Sequence, residues 1–513
     1  MPRPTLRQIS GGSTAGLLAA KIGPMKRPPL SILLLAQLAL AAAFAVALRS
    51  GRVPLGVPGE WEWQRIDVAP GPIRLAMAGV AIGGFAAFAA VGMRALGRPG
   101  GLGREVGWAF GLVVAAVIVQ GVVQEGAPEG YGLSKWILAL HAPGSSGYYT
   151  VARGQMDDPR RFLADYPAWI ARQDALHVGT HPPGLFLAAK AILAAIQGRP
   201  GLAKGVMDLA PRSASVAAQA LRAVNDLPRA DAAALTLTGA LTLLSCSATV
   251  APLYLLARAT LPAPLAWASA CLWPLVPSAV LFQPTADAAF PLLSTSALAL
   301  AAWARRSRRG PGLALAAGSG LVLAVGMEFT LAFLPVGLVV ALILASPPGF
   351  GLGRASALIS ATGAGFVGLT LLWWAGSGSD PVATWWINGR NHARFYVEYP
   401  RSYLAWVLVN PVELAVGLGL PAAAWAAFGL TEPRRRPGAT VATLAVLALL
   451  TLSGKNLSEV GRLWLPLMPP LLIAAAVGLD RAGGGPKALG ATIGLTGILV
   501  LVLEATIQVV YPV

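Results

Sequence analysis

The stretch HVGTHPPGLFL at residues 177–187 places His177 and His181 four residues apart, with Pro182 and Pro183 directly before an apolar run. Proline at a helix start fixes φ without wasting an intrahelical donor, and it holds the residue before it extended. His181 is therefore expected at a rigid corner, its ring free to hydrogen-bond a phosphate or sugar oxygen. Gly179 and the prolines argue against a helix beneath the two rings, and the glutamate of HExxH is missing, so no metal pair is expected.

Other reactive side chains gather in a few polar stretches. Glu125 directly follows a long apolar run in VVQEGAP, at a polar layer where a carboxylate pKa can rise. It is the first choice for a general base, with Asp158 and Asp165 as rivals, although each also reads as an ordinary interfacial charge. Tyr148 and Tyr149 in GYYTVA, and the run FLADYPAW, suit short helices in the membrane interface, either as binding groups or as anchors. Asp287 in LFQPTADAAF reads as a helix cap or as a group that orients a partner, capping being the favoured reading. Arg390, His392 and Arg394 in NGRNHARFYVEYPRSY, with Lys455, Glu459 and Arg462 in GKNLSEVGRLWLPLMP, offer cations to a phosphate or to anionic lipid headgroups. Glu459 and Arg462, three apart, can pair on one helical face.

The elements that position these groups follow from composition. Of 513 residues 56% are hydrophobic and only 12% charged, against about a quarter charged in soluble domains. Runs at 29–48, 106–123, 232–257, 358–375 and 489–503 are long enough, or nearly so, to cross about 30 Å of hydrocarbon as helices. The chain reads as an all-α, polytopic membrane protein. Its net charge of +17 resides largely in arginine-rich hinges. The hinges at 305–309 and 434–436, the Arg94/Arg98/Arg104 hinge and the stretch after Asp480 belong on the cytoplasmic side if basic residues stay inside. No basic-aromatic groove pattern points to nucleic acid. Cys246 and Cys271 fall in apolar runs, which disfavours both a disulfide framework and a thiolate metal site.

Placing the basic hinges inside, with the N-terminal arm (Lys21, Lys26, Arg27) cytoplasmic, gives about 13 or 14 hydrophobic segments. Outer loops then fall at 124–180, 376–402 and 453–462, and the C-terminus is outside. All four histidines, including His141, are on that outer side. The run at 185–197, about 20 Å of helix, is too short for an ordinary crossing. It is either re-entrant or shallow, or a further crossing hides in 198–231. The organisation expected is a cytoplasmic arm with two extra helices (1–105), a transmembrane domain (106–478) and a last helix (479–513). Polar groups concentrated in the outer loops suggest a site at a membrane face, the alternative being solvated loops.

An acidic group after an early outward span, a long first outer loop with YY and a following Ala, the THPPG corner, Asp287 at the next outer turn and Glu459, Arg462, Leu465 and Pro466 near the end form a pattern. Over residues 106–470 it resembles the GT-C superfamily of membrane glycosyltransferases, within it the protein-mannosyltransferase and aminoarabinose-transferase type. The resemblance implies a polyprenyl-phosphate-linked sugar donor, an extracytoplasmic lipid, glycan or protein acceptor, inverting transfer at the outer face of the cell membrane, and no cofactor. One departure matters. That family often carries an acidic pair before its tyrosines, where this chain reads GSSGYY with Ser145, Ser146 and Gly147. Either Glu125 has taken the base role, or Asp158 or Asp165 folds back, or the chain is an inactive relative. A transporter or flippase of a lipid-linked precursor is the alternative class; internal repeats and broken helices would mark it, and no clear repeat is visible.

Overall fold

The structure, a computed structural model, describes residues 28–52, 55–345, 351–432 and 435–509. Lys21, Lys26, Arg27 and Arg434, assigned to the cytoplasmic face from sequence, lie outside the described residues.

Helices dominate the fold. They are α1 (Leu30–Arg49), α2 (Pro72–Leu96), α3 (Leu102–Gln124), the short α4 (Lys135–His141), α5 (Tyr148–Gly154), α6 (Pro159–Ala164) and α7 (Tyr166–Ile170), then α8 (Gly184–Gln197), α9 (Pro200–Leu209), α10 (Arg212–Asn225), α11 (Arg229–Ala248) and α12 (Val250–Arg258). The chain continues through α13 (Ala263–Leu272), α14 (Pro277–Leu281), α15 (Phe290–Arg306), α16 (Arg309–Met327), α17 (Phe333–Ala345), α18 (Leu352–Ser377) and α19 (Pro381–Glu398). It ends with α20 (Tyr403–Leu418), α21 (Leu420–Leu430), α22 (Gly438–Leu452), α23 (Val460–Leu463), α24 (Pro469–Arg481) and α25 (Pro486–Glu504). Among the described residues, four two-residue strands, β1 (Gly56–Val57), β2 (Trp61–Glu62), β3 (Gln64–Arg65) and β4 (Ile507–Gln508), form two small ribbons.

Among the described residues eight helices are long and apolar enough to cross a membrane, and ten spans result if each of two bent pairs counts as one. The protein is a multi-pass membrane protein. α17 and α22 are shorter apolar helices. Several runs that read as single segments are broken. The run at 404–430 divides at Gly419 into α20 and α21, bent by 109°. Residues 262–281 form α13, a 3-10 turn at Trp273–Leu275 and α14. Pro274 and Pro277 withhold amide donors there, which is why that helix cannot run straight.

Close approach, more than apolarity, holds such helices together in lipid, because hydrocarbon tails are as apolar as the side chains. α24, entirely buried from Pro469 to Leu479, shows how this is done. Its Gly478 faces Gly429 of α21, and a Cβ on either would stand about 2.0 Å from a carbonyl oxygen of the other helix (2.0 Å from Trp425 O, 2.1 Å from Ala474 O). Only glycine permits that contact.

The bundle has two distinct ends. At one, Arg258 pairs with Glu105 at 3.0 Å, Arg481 with Glu432 at 3.1 Å and Arg435 with Asp480 at 3.3 Å. At the other, Ser213 of α10 donates to the Glu125 carboxylate just past α3. Asp231 at the start of α11 accepts there from Tyr149 and Arg153 of α5. Residues 198–231 therefore lie at the Glu125 end. α8 also ends there, Gln197 at its last turn donating to Asp231 at 3.2 Å, and α9 turns away from it by 106°. The 376–402 stretch, read as a loop, is mostly helix: α19 starts at the Asp380 cap, whose carboxylate accepts from Val382 N and Ala383 N.

Candidate functional site

The HPPG corner is fastened from three sides. Tyr166 donates its hydroxyl to the His181 carbonyl at 2.7 Å, and Asn388 of α19 donates to the same oxygen at 3.1 Å and to Gly179 O at 3.0 Å. Asn391, one turn on, donates to Gly179 O at 2.8 Å and Ile170 O at 3.2 Å. Gly184 N donates to Glu328 O at 2.8 Å, and a Cβ at Gly184 would stand 2.4 Å from that oxygen. The corner is rigid, as the prolines imply.

His181 Nδ1 lies 2.8 Å from the His177 carbonyl oxygen. A carbonyl only accepts, so Nδ1 carries the proton and Nε2 keeps its lone pair in the neutral ring. Burial pushes the His181 pKa down, the Asp287 carboxylate opposing this, and burial with the Arg462 charge drives His177 down to about 3. Both rings are neutral at ordinary pH. Tyr148 packs edge-on against His181 at 5.5 Å and against Phe186 at 5.3 Å. Its neighbour Tyr149 is anchored by Asp231, a buried carboxylate that accepts from Tyr149 Oη at 2.8 Å, Arg153 Nε at 2.7 Å and Gln197 Nε2 at 3.2 Å.

Two cavities meet at this corner. The larger, about 900 Å³, is lined by His177, His181, His392, Lys455, Asn456 and Glu459 among others, the smaller, about 400 Å³, mainly by apolar side chains of α8, α11 and α15 with Tyr148 and Tyr149 at one side. Ser145, His177, Thr285, Asp287 and Arg462 line both. Arg462 is the cation at that seam. Its Nη2 lies 2.5 Å from Glu459 and its Nε 4.0 Å from Asp287. At that distance the Nε–H makes no hydrogen bond although it is buried, an unspent donor of the kind that proteins rarely leave. Ser458 and Glu459 are both left-handed, at φ 88° and 54°. Non-glycine residues hold such angles only where surroundings enforce them, and here Glu413 accepts from Gly461 N at 2.9 Å beside the turn.

The sequence-selected residues thus divide. Tyr148, Tyr149, His177, His181, Asp287, His392, Lys455, Glu459 and Arg462 line one or both cavities. Glu125 does not; it is taken up by Ser213. Asp158 caps α6 through Arg160 N at 2.9 Å. Asp165 is exposed and stands 4.0 Å from Arg161. Arg394 donates to Gln173 O at 2.7 Å, pairs with Glu398 at 3.0 Å and lines neither cavity. Arg390 is exposed and lines neither cavity. The cap expected of Asp287 is not made: the residue sits in a 3-10 turn, and Ala289, the residue that precedes α15, gives it no side-chain cap. No group of three or more His, Cys, Asp or Glu able to hold a metal occurs among the described residues.

Several supporting residues went unnoticed in the sequence. Asn388 and Asn391, three apart in NGRN, share a helix face and could have been flagged as a pair. Gln120, Gln124 and Gln283 form a buried chain, Gln124 Nε2 donating to Gln283 Oε1 at 2.9 Å and Gln283 Nε2 to Gln120 Oε1 at 3.4 Å. The alternation in WEWQ, residues 61–64, was a strand signal of period two. The chain matches no known protein-family model and no curated protein.

Proposed function

We propose that the chain is a membrane glycosyltransferase of the GT-C type, moving a sugar from a polyprenyl-phosphate-linked donor to an acceptor at the extracytoplasmic face with inversion. One observation carries this reading: an arginine with an unspent Nε–H at the junction of an apolar cavity and a polar one. A lipid phosphate needs such a place, its chain on the apolar side and its anionic head at a fixed cation. The arginine-rich opposite end supports a cytoplasmic assignment for it, which puts the N-terminus inside and the site outside.

In this reading the acceptor oxygen attacks the anomeric carbon while the bond from that carbon to the phosphate oxygen breaks. The bonding pair leaves with the phosphate, whose growing charge Arg462 and Lys455 offset. The acceptor proton goes to a carboxylate. Glu125 lies outside both cavities, so the base assignment moves to Asp287, at the seam. His181, with its Nε2 lone pair, orients a sugar or acceptor hydroxyl. The broken pair α20/α21 gives a lipid-linked transporter or flippase a specific footing, since broken helices frame transporter sites.

Native mass spectrometry of the detergent-purified protein with undecaprenyl phosphate tests the donor site. Binding by wild type and its loss in Arg462→Ala supports the reading. Equal binding by both removes Arg462 from it.

A further inference from the structure

The loop between α1 and α2 does more than connect them. β1 pairs with β2 (Gly56 with Glu62, Val57 with Trp61), and β3 pairs with β4 from the far end of the chain (Gln64 with Gln508, Arg65 with Ile507). The Glu60 carboxylate clamps this loop to α20, accepting from Ser402 N at 3.0 Å and Trp406 Nε1 at 2.7 Å. Trp63 donates to Glu413 Oε1 at 3.3 Å and packs edge-on against Phe282 at 6.0 Å. Lys135, fully buried, donates to Leu281 O at 3.1 Å and Gln508 Oε1 at 3.0 Å, fixing β4 from behind. The result is a rigid wall of the larger cavity made of Trp61, Glu62, Trp63, Gln64 and Gln508.

Resting on the transferase reading, we infer that this wall is the acceptor subsite and that the acceptor group it takes is a carbohydrate. Trp61 is only partly buried, its ring 6.4 Å from Trp406, and it shares the cavity with Tyr396 and with the amides of Gln64 and Asn456, whereas the buried Gln508 amide is taken up by Lys135 and Glu504. A pyranose offers a flat C–H face to an aromatic ring and a rim of hydroxyls that both donate and accept. Amide side chains, carrying donors and acceptors together, match that rim, and the amphipathic indole matches the face. A peptide would call for a strand edge, and strands of two residues offer little of one. A lipid chain would call for apolar lining, which the smaller cavity has and this wall, with Glu62 and Gln64 exposed, does not.

The test uses the full-length protein in detergent with a panel of soluble disaccharides (cellobiose, maltose, lactose and mannobiose) read by saturation-transfer NMR. Undecaprenyl phosphate binding is measured on the same samples. The expected result is binding of at least one disaccharide to wild type, weakened at least about tenfold in Trp61→Ala and less in Trp61→Phe, with lipid binding equal in all three; a tenfold loss corresponds to about 1.4 kcal/mol. Disaccharide binding that Trp61→Ala leaves intact overturns the inference. So does lipid binding without any disaccharide binding, or binding of serine-rich peptides in place of disaccharides, and in those cases the transferase reading survives. Failure of the lipid to bind wild type counts against the transferase reading instead.

Discussion

Arg462 Nε stands 4.0 Å from the Asp287 carboxylate, on the wall that the two cavities share. The pair arrives from opposite parts of the chain, Asp287 on a 3-10 turn before α15 and Arg462 on α23. If Arg462 is the phosphate clamp, Arg462→Ala should lower sugar transfer by roughly 100-fold or more, the usual cost of removing a fixed group that stabilises developing charge. Arg462→Lys should retain part of the rate, because it keeps the charge and loses the planar fork. Transfer assays with a labelled polyprenyl-phosphate sugar check both.

Glu125 gives the opposite expectation. Its carboxylate accepts from Ser213 and lines neither cavity. Glu125→Gln should leave transfer within about twofold and change stability by about 1 kcal/mol, the net worth of one hydrogen bond. Parallel rate and melting measurements separate these effects.

The THPPG corner depends on α19. Asn388→Ala removes donors from the His181 and Gly179 carbonyls, which Tyr166 and Asn391 only partly cover. A cost of about 1–3 kcal/mol is expected, seen as a lower melting temperature, together with a fall in transfer as His181 loses its fixed position.

Acid should weaken the fold through the buried histidines. Burial holds His177 at about 3 and lowers His181, whereas a free histidine titrates near 6.5. Below that value the unfolded chain takes up protons that the folded chain refuses. The stability associated with the neutral rings is present in full above about pH 6.5 and is lost as the pH falls toward the folded pKa values. Replacing His177 by Gln should flatten the dependence of melting temperature on pH between about 6.5 and 3.

Much of the site's frame was legible in the sequence because local chemistry dictates it. Pro182 and Pro183 fix a corner wherever they stand, and the Glu459–Arg462 spacing permits an ion pair, which forms with Glu459 as the left-handed residue just before α23 and not on its helical face. The apolar runs likewise identified most crossing helices. What escaped depends on contacts between distant segments. Nothing near Glu125 announces Ser213, 88 residues away, and nothing in WEWQ announces its pairing with the chain's far end. Asp287 reads as a cap because capping is a local rule, while its ion pair with Arg462 is not. The break at Gly419 was hidden because hydropathy does not change across a bend.

The most direct measurement is sugar transfer by purified protein from a panel of radiolabelled polyprenyl-phosphate sugars to a mixed glycan, lipid and peptide acceptor set, comparing wild type, Asp287→Asn and Glu125→Gln. Transfer by wild type and by Glu125→Gln, with loss in Asp287→Asn while undecaprenyl phosphate still binds, is the expected result. Undiminished transfer in Asp287→Asn would contradict the base assignment. Absence of transfer from every donor, with passage of a labelled lipid-linked sugar across proteoliposomes, would replace the transferase with a transporter.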